Sequence, residues 1–439
     1  MAIDADRLRT SLSLAFLAFL GGGAWAMLGL PPVAQVREGA EYLVVTDEDG
    51  YTGWERLSHD LGITPYRLTR RSDYRPPAGR DHRPLAIEGL YGRARPTVFV
   101  DSVARTPAYT VINAFLGRED AVHAAVLLDP AGEVAHVWPI RETLGGRAAD
   151  MSMRMPHAIE VFPDGSIVTA IDMGESLSRL DACGDPIWTV RASTHHSVAL
   201  DGEGAIVTWD DADIVRLDAE TGRELSRLNL YDVIAANPDI DPLQVLQTDG
   251  AGRSDWLDDP LHPNDAEPLP AAMAAAFPGF EAGDLAVSFR SLNLIAVIDP
   301  ETARIEWWRS GIGRRLHDPD WRPDGTIVFF DNNTNRGPSR VRRIEPATMA
   351  LETLVDGADH DLYTARRGRQ QMREDGAALV VSAYQGRVVE IAPDGRVVFE
   401  YLNRFDPEDG LVGVVSDALA LAPDFFETPP SCAREATGG

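Results

Sequence analysis

Five histidines sit at comparable places in a repeating chain. They are His157 in Met155-Pro156-His157, the pair in Thr194-His195-His196-Ser197, His262 in Leu261-His262-Pro263-Asn264-Asp265, and His317 in Leu316-His317-Asp318-Pro319. An imidazole can ligate a metal, carry a proton or attack as a nucleophile. Metal coordination asks for neutral imidazoles beside carboxylates or thiolates. Here the polar company includes Arg290, Arg340 and Arg342, which would repel a cation. Guanidinium forks instead match the oxygens of sulfate and phosphate. The mixture points to an anion whose central atom a histidine attacks, with no metal and no cofactor. For a single histidine, a structural bond to a carbonyl is the simpler reading; recurrence at four unit starts argues against it.

The elements that position these residues are short apolar strands separated by Asp-Gly turns. Pro163-Asp164-Gly165, Asp201-Gly202, Pro323-Asp324-Gly325 and Asp375-Gly376 each precede such a strand, for example Thr326 to Phe330. Asp-Gly between extended segments signals a hairpin, because glycine accepts the positive φ of a tight turn. With Gly283-Asp284 counted among them, neighbouring turns lie roughly 40 to 50 residues apart where no insertion intervenes, the spacing of β-propeller blades. Six units result, at about 109–138, 157–190, 195–228, 262–309, 317–355 and 370–401. The fold class is therefore all-β, a six-bladed β-propeller over 109–439, with seven blades as the alternative closure. The first strand of each blade lines the channel, so the histidines should meet at the axis. An Asp- and Pro-rich insertion, 229–261, is expected as a loop on one face.

Composition limits the partners. The net charge is -27, and the chain has no lysine, so all 41 of its Lys and Arg positions are arginine. So acidic a surface repels polyanions, which excludes nonspecific nucleic-acid binding; an anionic substrate must be held by a local arginine cluster. Residues 1–32 carry Arg7 and Arg9 and then an uncharged apolar run, long enough to span a bilayer. They read as a signal anchor, with a cleaved signal peptide as the alternative. The body is expected in the periplasm or otherwise outside the cytoplasm, membrane-anchored or secreted after cleavage. Residues 33–108 read as an irregular tether. Cys183 and Cys432 are too far apart in sequence for a cysteine metal site; pairing would tie the tail to the body, but unpaired thiols are the expectation. Oligomeric state is not legible.

The residues also carry a resemblance. His195-His196, the segment from His262 to Leu269, Ser288-Phe289-Arg290-Ser291-Leu292-Asn293, and His317-Asp318-Pro319 followed by Asp324-Gly325 and Phe330-Asp331-Asn332 resemble the bacterial arylsulfate sulfotransferase family. The resemblance implies a six-bladed propeller that moves a sulfuryl group from an aryl sulfate donor to a phenolic acceptor through a sulfated histidine. It implies His317 as nucleophile, Arg290 as the sulfate-binding arginine, and His262 and His196 as assisting histidines. His195, Asn293, Asn332 and Arg340 are the further residues expected at the substrate. A neutral imidazole, reference pKa near ~6.5, is available for such an attack. Asp318 or Asp265 is the candidate to hold a histidine tautomer, although acids at strand ends are more often turn formers. The last blade offers Gln370-Gln371 where another polar channel residue is expected. Two other functions use the same residues: a non-catalytic propeller that binds an anion or a protein partner, and a sulfate-ester hydrolase.

Overall fold

The computed structural model describes residues 70–87, 90, 94–114, 123–140, 155–172, 176–246, 261–406, 408 and 410–432. The expected anchor, residues 1–32, and the first part of the expected tether lie outside them. Among the described residues no helix is long and apolar enough to cross a membrane.

Five four-stranded sheets and one six-stranded sheet form the six blades. The second blade runs from Met155–Val161 to Pro186–Arg191 and the third from Val198–Leu200 to Glu224–Asn229. The fourth runs from Pro263–Pro268 to Arg304–Ser310 and the fifth from Leu316–Trp321 to Leu351–Asp356. The sixth holds Arg369–Met372 through Val397–Leu402, all antiparallel. The first blade takes its innermost strand from the other end of the chain: Val415–Leu421 pairs with Tyr109–Ala114. This explains why the first unit shows no channel residue of its own in the sequence. The C-terminal segment supplies it and closes the ring.

The second strands of the blades, such as Leu285–Phe289 and Ile327–Asp331, are buried on both faces, so their successive residues serve opposite neighbours. Ile327 and Phe329 pack toward the fourth blade, whereas Val328 and Phe330 pack toward the sixth. Ile206 and Val207 divide in the same way between the second and fourth blades. Six apolar clusters result, one at each junction between adjacent blades. Burying a side chain of this size contributes about 1.5–3 kcal/mol, and the alternation distributes that gain around the whole ring. The expected turns recur with a common chemistry. Asp164 Oδ1 accepts from Ser166 N at 2.9 Å, and Gly165 takes φ 81°, a left-handed value that glycine adopts without penalty.

Three features differ from the expectation. Thr97–Val100 pairs with Val397–Leu402, and Arg83–Pro84 pairs with Thr97–Val100, so the sixth sheet extends into the stretch read as a tether. Its anchor is Glu400, fully buried, which accepts from Tyr74 Oη at 2.6 Å, Arg80 at 3.0 Å and His82 at 2.9 Å, and from Arg387. Burial alone would raise its pKa; the bonds from His82, Arg387, Tyr74 and Arg80 hold it down to about 2. Second, the described part of the insertion is not an open loop. It forms a helix, Leu230–Ala236, capped by the Asn229 side chain, whose Leu230, Val233 and Ile234 join the cluster between the third and fourth blades. Third, Cys183 and Cys432 are joined in a disulfide, contrary to the unpaired thiols expected. The turn after Ser176–Leu180 and the tail beyond the closing strand are neighbours in space although 249 residues apart.

The bond therefore fastens the segment that closes the ring. In the chain-entropy model a loop of that length is worth up to about 5 kcal/mol. Cys183→Ser with Cys432→Ser is expected to lower the thermal midpoint by several degrees, and reduction of the parent should do the same. An unchanged midpoint, or two titratable thiols in the unfolded unreduced parent, would contradict this closure.

Candidate active site

The channel ends of the inner strands bring the expected site residues together. His157 and His317 lie within inner strands, and His195-His196 and His262 lie just before them. Four inner strands are bulged at this level, between Pro156 and Ala158, Pro263 and Asp265, His317 and Asp320, and Val415 and Asp417. A bulge turns a side chain out of the regular alternation. His196, His262 and Asp318 have φ of 59°, 45° and 56°, a conformation that costs non-glycine residues energy and is retained where surroundings demand it. The backbone is bent at the points that aim the side chains at the axis.

His317 is 5% exposed. Its Nδ1 donates to Arg315 O at 2.8 Å, because a carbonyl can only accept. Nε2 of the neutral ring therefore carries the lone pair. Burial pushes its pKa well below the ordinary value, and Arg290 and His262 push further in the same direction, against the bond to Arg315 O. The ring is neutral at pH 7. Arg290 follows strand Leu285–Phe289, and its backbone N donates to His262 O at 3.0 Å. The Arg290 guanidinium and the neutral His317 ring thus sit within each other's field.

The other expected residues divide into two groups. His262 Nε2 lies 3.1 Å from His196 Nε2, and His157 donates from Nδ1 to His196 O at 2.9 Å. Burial lowers the His196 pKa well below ordinary, and His157, His195, His262 and His317 add to it. His195, in contrast, turns Nε2 to Asp211 O at 2.8 Å and stacks on Trp209. Asn293 accepts from Arg315 N at 2.7 Å, so it supports the carbonyl that orients His317. Asn332 is fully buried and donates to Thr364 O at 2.7 Å and Arg367 O at 2.6 Å. Arg340 is engaged by Asp331 at 2.6 Å and Asn333 at 3.3 Å. Backbone carbonyls, rather than Asp318 or Asp265, set the imidazole orientations.

Those two aspartates face a residue that sequence reasoning passed over. Arg369, at the start of the sixth blade's inner strand, pairs with Asp265 at 3.1 Å, Asp417 at 3.4 Å and Asp318. It also reaches His196 O at 3.4 Å. Gln370 completes the arrangement, donating from N to Asp318 and from Nε2 to Asp320, each at 2.6 Å. Gln371 pairs instead with the backbone of Ala420. Further along the channel lie Glu160, Glu267 and Asp320. Burial raises all of these acids: Asp265 to about 7, Asp417 to about 6, Glu160 to about 7, and Glu267 and Asp320 well above ordinary. The signal available in sequence was an acid two to five residues beyond each strand's histidine level, as in His157-Ala-Ile-Glu160 and His262-Pro-Asn-Asp265-Ala-Glu267. Among the described residues no group of three or more His, Cys, Asp or Glu is arranged to hold a metal ion.

Because the folded chain holds protons on these acids that the unfolded chain releases, their contribution to stability falls as pH rises from about 4 to about 7 and is flat above. Glu160→Gln removes one of them. Relative to the parent, the variant should gain up to about 3 kcal/mol across that window, read from denaturation midpoints at pH 4.5 and 7.5. A parent-to-variant difference that does not change with pH would contradict the raised Glu160.

Among solved structures, the chain is similar to a Bacteroides caccae protein of unknown function, with TM-score 0.49 and 10% identity, over 72% of this chain and 99% of that one. It is also similar to virginiamycin B lyase from Staphylococcus aureus, with TM-score 0.34 and 13% identity, over 56% and 69%. Likenesses this distant carry no functional weight. No curated protein matches the chain. A family model described as arylsulfotransferase (ASST) matches residues 158–404, more than half of the sequence and the part that carries His196, His262, Arg290 and His317, and the chain belongs to that family.

Proposed function

We propose that this protein is an exported aryl-sulfate sulfotransferase that works through a sulfated His317. The observation that carries the reading is the bond from His317 Nδ1 to Arg315 O, which leaves the nucleophilic lone pair on Nε2 of a ring kept neutral by its surroundings. In the first half-reaction Nε2 attacks sulfur, an N–S bond forms, the S–O bond to the aryl group breaks, and a phenolate leaves with a proton from the assisting histidines. In the second, the hydroxyl of a phenolic acceptor attacks the same sulfur, its proton returns to the histidines, and His317 is regenerated. Atoms and charge balance over the cycle without a nucleotide.

Arg290 is the group for the non-bridging sulfate oxygens, whose charge spreads in the transition state. His262 and His196 are the proton-transfer partners and further donors. The excess of acid over base in the whole chain makes this local cation the means of capturing an anionic donor. The body is assigned outside the cytoplasm, carried there by residues 1–32 as an anchor or cleaved leader. The disulfide supports this, since such bonds persist in oxidising compartments.

Phenol release from p-nitrophenyl sulfate, with and without added phenol, tests the reading. The parent should release nitrophenol faster as acceptor is added and form the acceptor sulfate. His317→Asn should lose at least about 10³-fold, as expected for a missing nucleophile, and Arg290→Gln about 10²-fold or more. Release indifferent to acceptor would make the protein a hydrolase. Donor binding without release in the parent would make it a binding propeller.

A further inference from the structure

We propose that His195 is a positioning residue that ends a three-imidazole proton chain, fixes the tautomers of His196 and His262, and stores the proton exchanged in each half-reaction. The catalytic part of this inference rests on the sulfotransferase reading; the tautomer part does not.

The geometry sets the direction of every bond. Asp211 O can only accept, so His195 Nε2, 2.8 Å away, bears a hydrogen. Nδ1 of neutral His195 is then an acceptor, and His196 Nδ1, at 2.7 Å, must donate to it. That makes His196 Nε2 an acceptor, so His262 Nε2, at 3.1 Å, must donate. One backbone carbonyl, outside the channel strands, thereby selects the tautomer of three side chains.

With one more proton every bond stays satisfied while the charge sits on any one of the three rings, and these states interconvert along the bonds. A proton taken at His262 Nδ1 passes the Nε2 proton to His196 Nε2, and His196 passes its Nδ1 proton to His195 Nδ1. His195 becomes imidazolium while His196 and His262 stay neutral with exchanged tautomers. Reversal returns the proton through His262. In the sulfuryl-transfer cycle, the acceptor hydroxyl charges the chain and the departing phenolate discharges it, so no proton is gained or lost overall.

The positive charge rests at the end suited to hold it. His196 is enclosed by His157, His262 and His317, with Arg369 on its carbonyl. His195 lies at the rim, half-buried against Trp209 with a ring separation of 5.7 Å. It is bonded to the Asp211 carbonyl, and the carboxylate of Asp210 accepts from nearby Ser193 N at 2.8 Å. The contact between rings on adjacent residues has its own structural requirement. Successive side chains of an extended strand point to opposite faces, but His196 takes φ 59°, which brings both rings edge to edge at 4.9 Å between centroids. Left-handed backbone at a non-glycine residue is retained where the surroundings require it.

Imidazole ¹⁵N NMR of the full chain without substrate tests the tautomers. At pH 8 His196 should carry its proton on Nδ1 and His262 on Nε2. On acidification His195 should gain its second proton in the same step in which His196 switches to Nε2–H. His196 as Nε2–H at pH 8, or His196 protonating before His195, overturns the chain whatever the enzyme does. The kinetic arm uses His195→Phe, which keeps an aromatic ring on Trp209; its thermal midpoint reports folding. Its loss should grow with the pKa of the leaving phenol, reaching about 10²-fold for phenyl sulfate and less for p-nitrophenyl sulfate, as for lost acid catalysis. A loss equal across donors overturns the proton-storing role. A parent that turns over no aryl sulfate while showing the expected tautomers refutes the sulfotransferase reading and leaves the chain standing.

Discussion

The structure around the channel depends on Arg369. A single guanidinium is shared by Asp265 of the fourth blade, Asp318 of the fifth and Asp417 of the first, and it reaches the carbonyl of His196 from the third. Buried charges are tolerated when paired and hydrogen-bonded, and removing one partner is strongly destabilising. Here the carboxylates come from strands far apart in sequence, and each is adjacent or close to a histidine or a bulge. The ion cluster is therefore a register pin for the blades, and it forms the floor on which the histidines stand. It depends in turn on ring closure, since Asp417 belongs to the C-terminal strand that the disulfide fastens.

Above that floor the chemistry arises from dehydration. Imidazoles buried beside one another and beside Arg290 cannot all be charged, so burial keeps His317 and His196 neutral. Neutrality leaves His317 a free ring lone pair, as the proposed attack requires, and neutral rings bond in a defined direction. The same burial does the opposite to the carboxyls below, raising them toward neutrality. Two layers of titratable groups, imidazoles and carboxyls, are thus shifted in opposite senses by one physical cause.

Much of this was legible in the sequence, because its signals are local. Asp-Gly turns and alternating strands announce blades, and a histidine repeated at unit starts announces an axis. The resemblance in turn pointed to His317, Arg290, His262 and His196. What escaped depended on long-range pairing. Asp417 carries no mark of a channel residue until Val415–Leu421 is known to be the innermost strand of the first blade. Arg369 was overshadowed by the glutamines after it, although it is the polar channel residue that the last blade was expected to supply. His195 and His196 are indistinguishable by pattern, since only the left-handed turn at His196 decides which ring faces His262 and which faces Asp211. Cys183 and Cys432 likewise meet only once the tail has closed the ring.

The most direct test of a covalent His317 is the intact mass of the purified protein after brief exposure to an aryl sulfate with no acceptor, with His317→Asn alongside. The parent is expected to gain the mass of one SO₃ group and to lose it when a phenol is added, and the variant to gain none. A parent that releases phenol while its mass stays unchanged, or a variant that gains the same mass, would contradict the sulfated histidine.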